Sequence, residues 1–336
     1  MKTVDRYILK MPIMASLMFI GCVNLHGENE KDLMKMVDPD SLVSSINYGT
    51  TALTYSSPDL PTNIEFAGDD IELRRFDRRE RIDREMMAFT YMHSSTLQML
   101  KRANRFFPVV EPILKENGIP DDLKYLMVIE SNVDPTARSG AGAAGLWQFM
   151  PATAKEYGLE VNSSVDERYN IEKATAAACR YLKKAYDKYG DWASVAASYN
   201  AGQGRITSQL SRQNVTNSLD LHLVEETARY VYRILAAKAL FSNPAEYGFR
   251  LRDSDLYPEI ESKKITVTTG IPDLSAWANE QGINLAILKI MNPWLRDTSL
   301  VNNSGKEYVI TVPTEKGIYY NPAETKAHDK NWVIEE

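Results

Sequence analysis

Cysteine and histidine are scarce in this chain of 336 residues, which contains two cysteines and four histidines. Cys22 lies near the N-terminus and Cys179 lies alone in an alanine-rich helical pattern, so we expect no disulfide bond. The histidines, at positions 26, 93, 222 and 328, lack the ligand spacing of a zinc site. The Gly-x-Ser-x-Gly elbow of serine hydrolases is missing too, and the sequence predicts neither a metal nor an organic cofactor.

An excess of basic charge is also missing. The chain has 39 Lys and Arg against 45 Asp and Glu, which gives a formal net charge of −6. Because such a chain has no general positive field, we expect no nucleic-acid partner. The hydrophobic fraction of 44% is that of a folded protein, and the length allows one or two domains with their own cores.

The apolar run near the N-terminus, roughly residues 11–23, is too short to span a bilayer. Lys2, Arg6 and Lys10 precede it, and a charged start followed by a short apolar run is typical of an export signal. We therefore interpret residues 1–22 as a signal and expect the protein to be exported to the cell envelope or periplasm.

The end of this signal resembles a lipobox, in which a small residue precedes the cysteine that receives a lipid. The residues in question are Phe19-Ile20-Gly21-Cys22. The resemblance implies lipidation of Cys22 and contact with a membrane through a lipid anchor. An ordinary secretory signal, cleaved a few residues later, is the alternative.

Helical periodicity dominates between residues 86 and 250. Apolar residues recur there at spacings of three and four, and no segment up to residue 245 alternates like a strand. The predicted helices cover residues 87–102, 108–116, 121–131, 151–157, 171–189, 191–199 and 224–241. The sequence thus predicts a mainly α protein with an all-helical domain over residues 86–250.

The flanks of this domain have other patterns. Residues 23–85 are predicted to be a linker, whose charged part from Ile71 to Glu85 is either a solvated lead-in or a basic strip that contacts an anionic polymer. Residues 262–315 contain β-like segments at 264–268 and 307–312 around two helical patterns, which predicts a small α+β domain of βααβ order. Residues 316–336 are a tail without a strong pattern.

Glu130 lies on the apolar face of a predicted helix, in line with Leu123 and Met127. A carboxyl group on an inward face is costly to ionise, so its pKa should rise. Cleavage of a glycosidic bond needs such an acid, because the leaving oxygen must receive a proton near neutral pH. From spacing alone, the favoured interpretation of Glu130 is a rim or capping residue at the helix end.

Three further motifs follow Glu130-Ser131 in the chain. They are the glycine-rich stretch 140–145 with Leu146-Trp147-Gln148, the segment Ser198-Tyr199-Asn200-Ala201-Gly202, and the segment 226–231, which reads Glu-Thr-Ala-Arg-Tyr-Val. In this order and spacing they resemble, over residues 105–245, the lytic transglycosylases with a goose-type-lysozyme-like (SLT) catalytic domain. The wording of the second motif and the C-terminal module are most similar to the membrane-bound D subgroup of that family.

The resemblance implies roles for residues that match the family's motifs. Glu130 would be the sole catalytic residue, and Ser131 would support its carboxylate or the sugar. Gln148 and Asn200 would hydrogen-bond the N-acetylated sugars on either side of the cleaved bond. The substrate would be the glycan strands of peptidoglycan.

Three aromatic residues are expected to line the same cleft. The resemblance implies that Tyr199 and Tyr230 shape the cleft and orient Glu130. Trp147 stands where the family varies, and we expect it to stack on sugar from an exposed loop. The neighbouring glycines also fit a dinucleotide fingerprint, but they follow a helical pattern instead of a strand, so we expect no such cofactor and assign them to a close passage past the polysaccharide.

The reaction implied by the resemblance uses one carboxyl group. Asp134 and Asp166, the nearest other acids, are more simply a turn residue and a loop or cap residue. Glu130 would protonate the oxygen between N-acetylmuramic acid and N-acetylglucosamine, and the substrate's own acetamido group would attack. The product would carry a 1,6-anhydro ring. A lysozyme-type hydrolase and a non-catalytic peptidoglycan-binding protein are the alternatives.

Residues 262–313 resemble a LysM module. Ile265–Val267 would be the first strand, residues 273–282 the first helix with its glycine stop, and residues 283–291 the second helix before Asn292-Pro293. Such modules bind glycans that contain N-acetylglucosamine. Thr-Gly-Ile-Pro stands where Gly-Asp-Thr is usual, and we therefore leave open whether this module binds glycan or is purely structural.

Overall fold

The computed structural model describes residues 56–334, and from Ser57 onward the chain forms one compact unit. The predicted export signal and Cys22 lie outside the described residues. Between residues 56 and 334, no helix combines the length and the hydropathy that a membrane crossing requires.

Helices make up most of the structure. The chain begins with a hairpin of β1 (Asn63–Phe66) and β2 (Asp69–Glu72). The next helices are α1 (Phe76–Tyr91), α2 (His93–Glu116), α3 (Lys124–Ser131), α4 (Pro151–Glu156), α5 (Ile171–Tyr189), α6 (Trp192–Ala201), α7 (Gln203–Gln213) and α8 (Glu225–Ser242). The C-terminal part contains β3 (Ser262–Val267), α9 (Leu274–Glu280), α10 (Leu285–Met291), β4 (Tyr308–Pro313) and α11 (Glu315–Ile318). Short 3-10 helices include Asp121–Leu123 and Glu167–Tyr169.

The predicted linker over residues 23–85 is wrong in its last third, because the chain is already packed there. In the hairpin, Ile64, Phe66 and Ile71 join the main hydrophobic core. The connecting residues Ala67 and Gly68 both have positive φ angles, of 54° and 96°, as a two-residue turn between strands requires. Four-residue strands joined by Ala-Gly give too weak an alternation to be recognised in the sequence.

The charged segment before residue 86 is a helix and not a solvated lead-in. In α1 the residues Ile82, Glu85, Met86 and Phe89 are buried, at the spacing of one helix face. Several arginines on the other side pair with carboxylates of the same chain, as Arg78 does with Asp220 at 3.0 Å. Much of the proposed basic strip is therefore engaged within the fold.

Helix α2 differs most from the predicted helices. It runs unbroken through Pro108 and Pro112, whereas the sequence predicted a break before the first proline. The break comes earlier, at Met92 between α1 and α2. Burial of Phe106, Phe107 and other residues of this helix stabilises the continuous form although each proline removes one backbone hydrogen bond.

Helix α3, which carries Glu130, runs through the middle of the helical part. Residues 124–129 are all buried, and α3 packs against both α2 and α8. Helix α8 in turn packs against α1 and α6. A helix enclosed in this way has a fixed position, so the side chain at its end has one too.

The C-terminal module, residues 262–313, has the predicted βααβ order. Strands β3 and β4 pair antiparallel, from Ser262 opposite Pro313 to Val267 opposite Tyr308. Its core also contains Ala144, Val165 and Tyr169, which belong to the helical part of the chain. The predicted fold class, mainly α with a small α+β domain, is confirmed.

The last residues do not form a free tail, which corrects the interpretation of residues 316–336. Trp332 is buried in the main core, where its ring contacts Phe107 and Phe241. Its indole Nε1 donates to the carbonyl oxygen of Phe241 at 2.7 Å. His328 of the same segment lies 2.8 Å from the carboxylate of Glu111 on α2. The segment therefore packs on the helical core, although it lies outside the predicted domain in the sequence.

Candidate active site

Glu130 occupies the last turn of α3, next to the helix end. The following residues Asn132 and Val133 adopt left-handed φ angles of 53° and 56°, which turn the chain away from the helix axis. The side chain of Glu130 is half-buried, and its Oε1 accepts a hydrogen bond of 2.5 Å from the hydroxyl of Tyr230. The fold thus holds the carboxyl group at a helix end with one fixed donor.

The surroundings of Glu130 favour its protonated form. Burial raises the pKa of this carboxyl group above its usual value, while the Tyr230 hydroxyl and the Arg233 guanidinium lower it in part. The nearby carboxylate of Glu226 adds to the rise. A carboxyl group of this kind keeps its proton to higher pH than an exposed glutamic acid, which suits a general acid.

Tyr230 is buried on α8, and burial together with the charge of Glu130 raises its pKa well above the usual value. The phenol therefore stays protonated and acts as a donor. Its neighbour Arg229 makes a two-pronged ion pair with Glu85 of α1, with distances of 2.6 Å and 3.1 Å. Because Glu85 is only 1% exposed, this pair fixes the register of α8 against α1.

Asn200 lies on α6 close to α8. The Thr227 hydroxyl donates to Asn200 Oδ1 at 3.0 Å. Within the described part of the chain the amide NH₂ of Asn200 has no recorded acceptor, so it remains available to a ligand. Thr227 was not predicted as a site residue, although it belongs to the motif that contains Tyr230.

Gln148 belongs to a loop that we call the Gln148 loop, residues 137–149. Its backbone has a φ of 47°, a left-handed conformation that is uncommon for a residue with a side chain. The amide nitrogen of its side chain donates to the carbonyl oxygens of Ala137 at 3.1 Å and Gly145 at 2.8 Å. The side-chain oxygen is thereby left as an acceptor for a ligand.

Tyr199 connects α6 to this loop. Its hydroxyl donates to the carbonyl oxygen of Trp147 at 2.7 Å, and its ring lies 5.1 Å from that of Tyr181. Burial and the nearby charge of Glu130 raise the pKa of Tyr199 well above its usual value. Its observed hydrogen bond goes to the Gln148 loop, so any effect on Glu130 comes from packing and charge.

Two predicted site residues point elsewhere. Trp147 is fully buried and its Nε1 donates to the hydroxyl of Thr175 at 2.9 Å, so the prediction that it stacks on sugar is wrong. The loop is polar and glycine-rich, but its large side chains turn inward. Ser131 is also buried, and its hydroxyl donates to the carbonyl oxygen of Met127 at 2.8 Å instead of to Glu130.

Gly145 of the Gln148 loop serves the fold and not a close passage past a polysaccharide. A Cβ atom on Gly145 would lie 1.9 Å from the carbonyl oxygen of Arg168, and the φ of this residue is 76°. Only glycine fits both the space and the backbone angle. The close contact is between two segments of the protein.

The two other acids near Glu130 in sequence are already bound. Asp134 accepts from the backbone and hydroxyl groups of Thr136 at 2.9 Å and 2.7 Å, which makes it the expected turn residue. Asp166 is buried against Arg168, at 2.9 Å and 2.7 Å, and caps a 3-10 helix. Residues 56–334 contain no group of three or more His, Cys, Asp or Glu able to hold a metal ion.

Comparison with known families matches two parts of the chain. Residues 109–220 match the transglycosylase SLT domain, and residues 263–316 match the soluble lytic transglycosylase C-terminal LysM-like domain. Both matches confirm the family resemblance drawn from the motifs. The SLT match includes Glu130, Gln148, Tyr199 and Asn200, whereas Tyr230 lies beyond it.

Individual proteins similar to this chain are also named as transglycosylases. The chain is 31% identical over 255 residues to membrane-bound lytic murein transglycosylase D of Escherichia coli K12, which covers 73% of this chain and 54% of that protein. It is 40% identical over 186 residues to a transglycosylase of Enterobacteria phage PRD1, covering 53% and 64% respectively. The chain thus spans about half the length of the first of these relatives.

Solved structures add little. The 70 kDa soluble lytic transglycosylase of Escherichia coli is 26% identical over 40% of this chain and 23% of that one, with a TM-score of 0.34. A score this low carries no argument about the site.

Proposed function

We propose that this chain, which contains a transglycosylase SLT domain and a LysM-like domain, is a peptidoglycan lytic transglycosylase with Glu130 as its only catalytic residue. The observation that carries the proposal is the environment of Glu130: a half-buried carboxyl group with a raised pKa and one phenolic donor. The relatives named as murein transglycosylases support the same reaction class.

In the first step Glu130 acts as an acid. Tyr230 occupies Oε1, so Oε2 is the oxygen from which a proton passes to the bridging oxygen between N-acetylmuramic acid and N-acetylglucosamine. The C1–O bond breaks, and the acetamido oxygen of the muramyl residue attacks its own C1. Gln148 and Asn200, each with one free polar group, would hold the N-acetyl groups that make this attack possible.

In the second step Glu130 acts as a base. Its carboxylate, stabilised by the hydroxyl of Tyr230, removes the proton from the muramyl 6-hydroxyl group. The 6-oxygen attacks C1 and releases the acetamido oxygen, which forms the 1,6-anhydro ring. Glu130 has regained its proton, and no water is consumed.

Product analysis tests the proposal. Digestion of purified peptidoglycan should yield anhydromuramyl ends, detected by mass as products one water lighter than those of a hydrolase. Glu130→Gln should abolish release, whereas the matched variant Asp134→Asn should retain it, because Asp134 is a turn residue. Reducing ends would establish the hydrolase alternative. An active Glu130→Gln variant would show that a group other than Glu130 is catalytic.

A non-catalytic binding protein is the remaining alternative. It would bind peptidoglycan without releasing soluble fragments, and Glu130→Gln would then leave this binding unchanged. The presence of the Tyr230 bond to Glu130 favours the enzyme, because a binding protein does not need a carboxyl group with a raised pKa.

We further propose export and lipidation at Cys22, with the domain starting near residue 57. Cells that express the chain with labelled palmitate should incorporate label into the wild type and into Cys179→Ser, but not into Cys22→Ser. Cys179 is the matched control because it is buried in the fold. A wild-type protein that is exported without label would instead carry an ordinary secretory signal.

A further inference from the structure

The LysM-like domain is joined to the helical part through a segment we call the docking segment, residues 160–169. The amide of Asp166 donates to the carbonyl oxygen of Trp294 at 2.9 Å, and that of Arg296 donates to the carbonyl oxygen of Ser164 at 2.8 Å. Val165 forms an antiparallel bridge with Leu295. Backbone hydrogen bonds of this kind fix the relative position of the two segments that make them.

Side chains close the same interface. Lys306 lies 2.5 Å from Glu160 and 3.1 Å from Glu167, and the hydroxyl of Tyr308 donates to Glu160 at 3.0 Å. The guanidinium of Arg296 lies 4.4 Å above the ring of Tyr169. A module tethered only for glycan capture does not need an ion pair to a carboxylate that is 4% exposed, as the side chain of Glu167 is.

Arg168 carries this contact from the docking segment to the Gln148 loop. Its guanidinium is held by Asp166 and donates through Nη1 to the carbonyl oxygens of Gly142 at 2.7 Å and Phe149 at 3.0 Å. Both Arg168 and Asp166 are 6% exposed. The middle and the last residue of the Gln148 loop are therefore hydrogen-bonded to an arginine of the docking segment, and Asp166, which holds this arginine, is itself bonded to Trp294 of the LysM-like domain.

The loop needs such support because of the conformation of Gln148. A left-handed backbone at a residue with a side chain is disfavoured by itself and persists where the surrounding structure imposes it. Phe149, the next residue, is bonded to Arg168, and Gly145 packs directly on the Arg168 carbonyl oxygen. Loosening this contact would free Gln148 to leave the position from which it can reach a ligand.

We infer that the LysM-like domain is a structural part of the sugar-binding site, and that Arg168 is a positioning residue through which it holds the Gln148 loop. The inference rests on the proposed function, in which Gln148 binds an N-acetylated sugar. It assigns the domain a role that does not depend on capture of the cell wall.

Short soluble glycans separate this role from anchoring. An anchor raises the local concentration of insoluble wall and has no effect on a soluble oligomer of a few disaccharides. A domain that supports the Gln148 loop affects both substrates alike. The kinetics of soluble peptidoglycan oligomers, measured with the full-length chain, therefore test the inference directly.

Lys306→Ala breaks the interface ion pairs and Arg168→Lys removes part of the hydrogen-bond fork. Both should lower kcat/KM on the soluble oligomer by about tenfold or more, mainly through KM, since small misplacements of a binding group have effects of this size. Lys264→Ala is the matched control: it breaks an exposed ion pair to Glu172 that also joins the two parts but does not touch the docking segment. It should stay within about twofold of wild type.

A double-mutant cycle separates positioning from general stability. Arg168→Lys should have little further effect on the KM of a Gln148→Ala variant, because the group it positions is already absent. Wild-type kinetics of both interface variants on the oligomer, or full additivity with Gln148→Ala, would overturn the inference. An active Glu130→Gln variant would instead refute the proposed function, so the two failures are distinct.

Discussion

Tyr230→Phe removes the hydroxyl that donates to Glu130 at 2.5 Å and leaves the ring in its buried position. The bond lowers the pKa of Glu130, because it stabilises the carboxylate more than the acid. Without it, burial and the nearby Glu226 act with less opposition, and the pKa of Glu130 should rise. The variant should therefore keep the acid form to higher pH than the wild type.

The size of the effect follows from the kind of bond. A hydrogen bond to a charged group contributes roughly 1.5–3 kcal/mol, and 1.36 kcal/mol corresponds to about one pH unit. The alkaline limb of kcat/KM, which reports loss of the Glu130 proton in the free enzyme, should move up by about one to two pH units. The maximal rate should fall, since the second step loses the donor that stabilises the carboxylate.

The assay is the pH dependence of anhydromuramyl product release from peptidoglycan. Tyr232→Phe is a close control, because Tyr232 lies on the same helix, is buried, and its hydroxyl has no hydrogen-bond partner in the described part of the chain. Its profile should coincide with that of the wild type. A Tyr230→Phe profile with an unmoved alkaline limb would refute the assignment of that limb to Glu130.

Three further changes have defined outcomes. Glu85→Gln breaks an ion pair whose carboxylate is buried and whose guanidinium is 33% exposed, so it should lower the free energy of unfolding by about 1.5–3 kcal/mol. Glu172→Gln, at an exposed pair, should lower it by less than about 1 kcal/mol, both measured by denaturant titration. Trp332→Ala should cost about 3–5 kcal/mol in the same measurement, because it empties a core position. Glu130→Gln should raise Tm at neutral pH. Since the pKa of Glu130 is higher in the folded chain, its ionisation removes stability as pH rises, and the difference from wild type should vanish below about pH 4.

Helices α5 and α8 could be predicted from the sequence almost to the residue, whereas the long helices α1 and α2 could not. The predicted helix 171–189 has the bounds of α5, because Asn170 caps its start and Gly190 ends it in a left-handed conformation. Helix α7 was missed, since Ile206 and Leu210 are the only large apolar side chains among its eleven residues and only Ile206 is buried. A helix of this kind is stabilised by its contacts with the neighbouring elements of the chain. The local periodicity of its sequence does not report those contacts.

Some residues of the candidate site could likewise be predicted from the sequence, and others could not. Glu130 could be proposed from its motif, and the family resemblance implied that Tyr230 orients it; spacing alone could not join two residues that are 100 positions apart. Trp147 was placed wrongly because a loop's composition does not tell which way a large side chain turns. Arg168 was missed altogether, since its four hydrogen bonds reach carbonyl oxygens and a carboxylate that no spacing rule brings together.

A single carboxyl group that works first as an acid and then as a base needs an intermediate pKa. This pKa lies below that of a dedicated general acid and above that of a dedicated general base. Burial alone would hold the proton too firmly for the second step, and an exposed glutamate would lose it before the first. Tyr230 and Arg233 both oppose the effect of burial on Glu130, and both lie on α8, outside the matched SLT segment. The ion pair of Glu85 with Arg229 sets the position of that helix from still further outside. The proposed chemistry therefore depends also on α1, which lies outside the motif that contains the catalytic residue.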